Sequence, residues 1–177
     1  LGDHYGFGKR TFYEQSTRIP FIVSWPEKLP KNETRDQFVT LQDVYSTFIT
    51  AADAEIPQNE DIAGKNILKA AQNKEVKIRE KVFAEFGFGK NLKFMLRWDD
   101  YKYIYFSNGG QESLFNLKDD PDELNDIAEE NPNLCKECRK ELYEYYQGYD
   151  FNDALEDDGL VKYEYEPIEP SGYINQY

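Results

Sequence analysis

The chain has 177 residues, enough for one domain with a hydrophobic core. Its apolar content of 40% and aromatic content of 16% exclude a disordered composition, and its net charge of −13 argues against nucleic-acid binding. No apolar run approaches the roughly 18 residues that a membrane-spanning helix needs. The sequence opens at Leu1, inside a Gly-rich motif. We therefore expect a fragment of a longer protein, in which any signal peptide would precede Leu1.

The first part of the chain predicts a loop, a helical turn and a strand. Residues 1–18 form a Gly-rich loop that leads into a turn of helix, where Glu14 and Arg18 have the spacing of an ion pair. Residues 21–25 are a continuous apolar run closed by Pro26. Such a run is typical of a strand buried in the centre of a sheet.

A helix is predicted from Thr40 to about residue 52. Thr40 is a suitable N-cap, and Asp43 follows three residues later, as in a capping box. Apolar residues recur at helical spacing and predict a stripe that faces the core. They are Leu41, Val44, Tyr45, Phe48, Ile49 and Ala52.

Near residue 80 the apolar period changes from 3.6 to 2, which indicates strands. Turn residues separate four extended segments and predict an antiparallel meander. The segments are residues 82–86, 94–98, 101–106 and 114–117. After them we expect a short helical turn around Leu124 and Ile127. A longer helix from Asn131 to about Gln147 should then cover one face of the meander.

The chain has two cysteines, Cys135 and Cys138, and both lie in the predicted last helix. The favoured interpretation is a pair of small residues facing the core. A redox pair and half of a metal site are the alternatives. Residues 149–177 are acidic and rich in Tyr and Pro, so they predict either a disordered tail or an extended arm anchored by its tyrosines.

The opening loop contains the groups of a candidate anion site. Lys9 offers a fixed positive charge for sulfate or phosphate, and His4 can give a hydrogen bond or a proton to a leaving oxygen. Asp3 can orient that imidazole or bind a divalent metal. Residues 1–35 carry six Lys and Arg against four Asp and Glu, which suits an anion. On these residues alone, an ordinary surface loop is the stronger alternative.

Longer patterns over about residues 1–147 resemble the sulfatase family of the alkaline-phosphatase-like superfamily. Gly2-Asp3-His4 with Gly8-Lys9 is similar to the family loop G-[DE]-H-G-x-x-x-K. Other segments resemble the family's Y-E turn, its R-[IV]-P strand that ends in W-P, its D-G-x-S-L segment and its L-[YF]-[DN]-L-x-x-D-P-x-E signature. These segments are Tyr13-Glu14, Arg18–Pro26, Asp61–Leu68 and Leu114–Glu123.

The resemblance implies an α+β fold that is the C-terminal part of a sulfatase. Residues 1–79 would be the end of the α/β catalytic domain. Residues 80–148 would be a C-terminal subdomain, a four-stranded antiparallel sheet packed by a C-terminal helix. Residues 149–177 would be an acidic, extended tail outside the resemblance.

The resemblance also implies roles for four residues of the loop. Lys9 matches the lysine that contacts the sulfate group, and His4 matches a histidine on the substrate side. Asp3 and Tyr5 are expected to bind substrate, although Tyr5 stands where the family has Gly. The family's metal-binding Asp belongs to an earlier D-H-G motif. Metal ligands are therefore expected before Leu1, with Asp3 and His4 as the less favoured candidates.

The implied activity is hydrolysis of sulfate esters with calcium and a formylglycine made from a C-x-P-x-R or S-x-P-x-R motif. The segment Cys135–Arg139 lacks the Pro of that motif. We therefore expect the nucleophile to be absent, and this fragment alone to be inactive and to bind neither cofactor. Its expected partners are a sulfated small molecule or glycan and the N-terminal part of the same enzyme, without nucleic acid or membrane.

Two other functions stay open. A phosphodiesterase or phosphonate hydrolase of the same superfamily fits the loop, because a lysine serves phosphate as well as sulfate. A non-catalytic binding or structural module fits the missing nucleophile. The cellular location is open as well, with a periplasmic or secreted protein favoured.

Overall fold

The computed structural model describes residue 4, residues 9–55 and residues 62–167. The chain divides into two compact units. One contains Leu1–Arg18 and Phe83–Tyr177, and the other contains Ile19–Val82. Within the described ranges, no helix has the length and apolar character needed to cross a bilayer.

The larger unit is built on the predicted four-stranded meander. Its strands lie in the order β1 (Lys81–Phe86), β2 (Lys93–Trp98), β3 (Tyr101–Phe106) and β4 (Gln111–Asn116). Strands β2, β3 and β4 pair antiparallel. Leu96 lies opposite Tyr103, which lies opposite Leu114, so apolar side chains line up on one face of the sheet.

Helix α4 (Pro132–Tyr146) covers this face, as the sequence predicted. Its buried residues are Cys135, Cys138, Leu142 and Tyr146. They share one core cluster with strand residues that include Phe94 and Tyr105. Both cysteines are free thiols. Their interpretation as residues facing the core is therefore confirmed.

The helical turn predicted around Leu124 and Ile127 is wrong, because this segment is irregular. Glu123 adopts a left-handed backbone conformation, with φ of 55°, which a helix cannot continue through. The carboxylate of Asp120 instead accepts hydrogen bonds from the backbone N–H groups of Leu124 at 3.1 Å and Asn125 at 2.8 Å. Asp126 likewise accepts from a backbone N–H of β4, that of Leu114, at 2.9 Å.

The chain then returns to the sheet as an extended arm. After the hairpin of β5 (Leu155–Glu156) and β6 (Gly159–Leu160), the backbone of Tyr163 pairs with the turn that follows β3. The side-chain amide of Asn108 donates to the carbonyl of Glu166 at 2.8 Å and accepts from its N–H at 2.9 Å. Residues 163–166 are therefore held against the sheet by main-chain hydrogen bonds and by Asn108, whereas anchoring by the tyrosines stays a prediction. The last tyrosines of the arm lie outside the described residues.

In the described residues of the smaller unit there are two helices, α2 (Asp43–Ala51) and α3 (Leu68–Gln72). The carboxylate of Asp43 is fully buried. It accepts hydrogen bonds from the N–H of Thr40 at 2.7 Å, from the N–H of Lys65 at 2.8 Å and from both terminal nitrogens of Arg79. Burial by itself raises the pKa of Asp43, but these hydrogen bonds outweigh it and hold the pKa below its ordinary value of 3.8.

The polar face of α2 therefore faces inwards. Ser46 donates to the carbonyl of Gly64 at 2.7 Å, and Thr47 accepts from the N–H of Ile67 at 3.2 Å. A Cβ on Gly64 would lie 1.9 Å from the carbonyl oxygen of Gln42, so this approach requires glycine. Residues 64–67 and α2 are therefore joined by hydrogen bonds.

Two predictions for the smaller unit are wrong. The apolar stripe of α2 does not face the core of this unit, because Leu41 is 66% exposed and Phe48 is 69% exposed. Residues 21–25 form no strand, and Ile22 is 91% exposed. A central strand exists only when other strands pair with it on both sides. Among the described residues, no strand pairs with this run.

The buried Asp43–Arg79 pair makes the smaller unit sensitive to acid. The folded pKa of Asp43 lies below its unfolded value, so this carboxylate contributes stability above about pH 4 that is lost as the pH falls through the folded pKa. Asp43→Asn should cost about 3 kcal/mol near neutral pH, because it leaves Arg79 largely buried without its anion. It should also remove this part of the pH dependence.

Urea unfolding of a Trp98→Phe background measures this effect, since Trp25 then reports on the smaller unit alone. Asp53→Asn is the matched control, because Asp53 is exposed and the charge change is the same. Equal stability losses in the two variants would contradict the assigned role of Asp43.

Candidate functional site

The segment that carries Lys9 lies on the second face of the meander, opposite α4. Phe12 is buried there, and the ring of Tyr13 meets the ring of Phe115 edge to face at a centroid distance of 5.9 Å. The segment continues into the short helix α1 (Glu14–Thr17). Lys9 itself lies in a bend and is exposed, so its ammonium faces solvent while the chain that follows it is held by the sheet.

His4 is tied to the same face at two points. Its ring stacks on Tyr13 at a centroid distance of 3.8 Å with an interplanar angle of 4°. Its Nε2 lies 2.9 Å from the carbonyl oxygen of Asp122, so Nε2 carries the proton and donates. Burial, with smaller contributions from Glu123 and Asp126, raises the pKa of the Tyr13 phenol. The stacked ring beside His4 is therefore neutral.

Lys102 on β3 is the charged group that connects this segment to the sheet. It is only 1% exposed. Its ammonium donates to the carbonyl oxygen of Phe12 at 2.8 Å and lies 2.7 Å from Glu14 and 2.8 Å from Glu123. Three oxygens thus lie within 2.8 Å of the ammonium. The Phe12 carbonyl accepts a hydrogen bond, and the carboxylates of Glu14 and Glu123 offset the buried charge, although Oε1 of Glu123 lacks hydrogen-bond geometry.

A second cation lies on the same face of the sheet. Arg97 on β2 lies directly opposite Lys102 in the register of the sheet. Burial lowers the pKa of Arg97, while Glu14 and Glu123 act in the opposite direction. Two cations opposite each other on neighbouring strands repel. The carboxylates of Glu14 and Glu123 therefore balance the charge on this face of the sheet.

Glu123 bridges both sides of the contact. It is 2% exposed, and its second carboxylate oxygen accepts a hydrogen bond from the N–H of Glu14 at 2.5 Å. This N–H belongs to the first turn of α1, where a carboxylate is favourable. The structure gives the Glu14 side chain a different partner from the predicted one, Lys102 in place of Arg18.

A further contact lies close to Lys9. The ammonium of Lys93 on β2 donates to the carbonyl oxygen of Arg10 at 3.1 Å. Burial lowers the pKa of Lys93. The backbone is thus held one residue after Lys9 as well as at His4.

Asp3 and Tyr5, the two other predicted site residues, lie outside the described residues. In the ranges that are described, no group of three His, Cys, Asp or Glu side chains could hold a metal ion. The segment Cys135–Arg139 lies in the middle of helix α4 and lacks proline, so it does not fit the precursor of a formylglycine. The residues described here therefore fit neither calcium nor formylglycine.

Sequence reasoning missed Lys102 and Glu123 as contacts of the loop. One signal was available for Lys102, because strand alternation places it on the same face as Ile104. A lysine between apolar neighbours of a buried strand requires an anion nearby. Glu14 and Glu123 each belong to a segment that resembles a family signature, but their pairing with Lys102 depends on the tertiary fold and has no sequence signal.

Comparison with known families identifies the chain. The family described as "N-sulphoglucosamine sulphohydrolase, C-terminal" matches residues 2–148, which include the Lys9 loop, the meander and α4. The chain belongs to the sulfatase family. The resemblance predicted from the sequence is therefore confirmed, as is the fold class.

Individual sulfatases match over most of this chain and a minor part of their own length. Arylsulfatase K of Xenopus laevis is 34% identical over 152 residues, which are 79% of this chain and 28% of the relative. An N-acetylglucosamine-6-O-sulfatase of Bacteroides thetaiotaomicron is 28% identical over 172 residues, 91% of this chain and 30% of the relative. The chain thus spans less than a third of either relative.

A solved structure agrees with these matches. It is described as a complex with its substrate D-glucosamine-2-N,6-O-disulfate, and it superposes with a TM-score of 0.74 at 26% identity. The superposition covers 86% of this chain and 33% of that one. Both the family match and the superposed fold place the chain in the C-terminal part of a sulfatase.

The cysteines of α4 should behave as inert core residues. Burial, with smaller contributions from Glu112 and Asp126, raises the pKa of Cys135 to about 11, so its thiol is almost wholly protonated at pH 8. We expect Ellman's reagent to modify Cys135 in the native chain at least about 100-fold more slowly than in guanidinium-unfolded chain. Rapid modification of native Cys135, located by peptide mapping, would show a reactive thiol and contradict its burial.

Proposed function

We propose that this chain is the C-terminal part of a sulfuric ester hydrolase and that it supplies one wall of the sulfate site. The family match over residues 2–148 carries the proposal. Lys9 contacts the sulfate oxygens and offsets the negative charge that they carry in the transition state. His4 lies on the substrate side of the same loop, where Nδ1 is the ring nitrogen proposed to face substrate, because Nε2 donates to the carbonyl oxygen of Asp122.

Asp3 and Tyr5 are proposed as substrate-binding neighbours in this loop. Calcium and formylglycine are proposed to belong to the intact enzyme, in keeping with the family, and to be supplied by residues outside this chain. The partner of this chain is then the N-terminal part of the same enzyme. The residues of this chain bind and orient the sulfate group, and the bond-breaking groups are provided elsewhere.

The substrate class that we propose is a sulfated amino sugar, alone or within a glycan. Two of the matched proteins support this choice. The relative that covers 91% of this chain is an N-acetylglucosamine-6-O-sulfatase, and the superposed structure is described as holding a disulfated glucosamine as its substrate. Lys9 recognises the sulfate group that such sugars share.

Sulfate recognition by Lys9 can be tested on this chain. Glucosamine 6-O-sulfate, added during an NMR titration, should shift the signals of Lys9 and His4, whereas unsulfated glucosamine should not. Lys9→Ala should weaken binding at least about tenfold, the size expected for a hydrogen bond to a charged group. Lys118→Ala removes the same charge from another exposed lysine of the same unit and serves as the control.

Equal weakening in both lysine variants would indicate only non-specific charge attraction and would reject the site. Titration with glucosamine 6-phosphate distinguishes a sulfate-processing enzyme from a phosphate-processing enzyme of the same superfamily. Clearly tighter binding of the phosphate ester would favour a phosphate-processing enzyme of the same superfamily.

The activity itself needs a second test. Residues 1–177 alone should not hydrolyse 4-nitrophenyl sulfate above the uncatalysed rate, because the described residues offer neither a nucleophile nor a metal group. The longest reading frame that encodes this chain should hydrolyse it, and Lys9→Ala in that protein should lower kcat/KM. Turnover by residues 1–177 at the rate of the longer protein would falsify this division of roles.

A further inference from the structure

We propose that Lys102 and Glu123 are positioning residues for the Lys9 loop. This inference rests on the proposed function, because it assigns the pair a role in holding the sulfate-contacting lysine in place. Neither residue belongs to the loop. Lys102 lies in the middle of β3, and Glu123 lies in the irregular segment after β4.

The two residues hold the chain directly after the loop from both sides. Lys102 donates a hydrogen bond to the carbonyl oxygen of Phe12 and forms an ion pair with the carboxylate of Glu14. Glu123 accepts a hydrogen bond from the N–H of Glu14. Both main-chain contacts and the side-chain ion pair therefore act on residues 12–14. This segment begins three residues after Lys9, too few to leave the position of Lys9 independent of it.

The other end of the loop is held by the same irregular segment. His4 donates to the carbonyl oxygen of Asp122, the residue before Glu123. The ring of His4 also stacks on Tyr13, which lies between the two residues that Lys102 contacts. Residues 122 and 123 thus contact both ends of the loop, and the ammonium of Lys102 lies 2.8 Å from the buried carboxylate of Glu123.

An apolar residue in place of Lys102 would fill the volume of its side chain but would not pair with the carboxylates. It would leave the carboxylates of Glu14 and Glu123 without the cation that they share, and the Glu123 carboxylate is buried. A buried charge without a partner draws in water or moves towards the surface. The segment on which both carboxylates act would then separate from the sheet, whereas the α4 side of the sheet keeps its own core.

Backbone amide exchange of residues 1–177 tests this anchoring. In Lys102→Met, the amides of residues 14–18 should exchange at least tenfold faster relative to the amides of β3. Lys140→Met is the control, because it removes a lysine from the exposed surface of α4. Glu14→Gln leaves the sheet intact and removes only the carboxylate that pairs with Lys102 from residues 12–14. It should give a smaller increase in the exchange rates of residues 14–18, which can be measured even if Lys102→Met unfolds the chain.

A binding measurement separates positioning from simple stability. With Lys9 still present, Lys102→Met or Glu14→Gln should raise the dissociation constant for glucosamine 6-O-sulfate several-fold, and Lys102→Arg should restore part of the affinity. Faster exchange with unchanged affinity would overturn the positioning role. If the wild-type chain shows no sulfate-dependent shift at Lys9, the proposed function fails, and the exchange comparison still decides whether the pair anchors the segment.

Discussion

The attachment of residues 12–14 to the sheet depends on the burial of one ammonium group. Lys102 is surrounded by the Phe12 carbonyl oxygen and by the carboxylates of Glu14 and Glu123. These oxygens come from chain segments about 90 and 20 residues away in sequence from Lys102. A buried ion pair contributes little net stability compared with apolar packing, but removal of one partner is costly. Its main effect is therefore to exclude other arrangements of the loop on the sheet.

The two faces of the meander are stabilised in different ways. Helix α4 covers one face through an apolar cluster, in which shape and volume matter and modest substitutions can be absorbed. The opposite face receives the Lys9 segment through ions, hydrogen bonds and the ring of Tyr13. Directional contacts of this kind fix position more narrowly than apolar contacts do. The face that carries the candidate site is thus the face with the stricter geometry.

Sequence patterns predicted best the elements that bury their apolar residues against each other. The meander and α4 pack on each other, and their alternating and helical periods were read correctly. The run of residues 21–25 and the stripe of α2 were misread. Their apolar character was real, but no described neighbour in the smaller unit covers them. The predicted domain boundary near residue 79 stays a prediction.

The residues of the candidate site also fall into those that the sequence identified and those that it missed. Lys9 and His4 carry a local motif and were found from the sequence. Lys102 and Glu123 act across more than 80 residues of chain, and no local pattern pairs them with residues 12–14. The left-handed backbone conformation of Glu123 could not be predicted from the sequence either, because tertiary contacts stabilise that conformation in a non-glycine residue.

Helix α2 buries its polar face and exposes its apolar face. The folding of the smaller unit and its solubility therefore depend on different residues of this helix. Asp43, Ser46 and Thr47 hold the smaller unit together from the polar side, and none of these bonds involves the side chains of Leu41 or Phe48. Solubility can therefore be adjusted without loss of folding. Glutamate at positions 41 and 48 would remove two exposed apolar side chains from the surface and leave the buried hydrogen bonds unchanged.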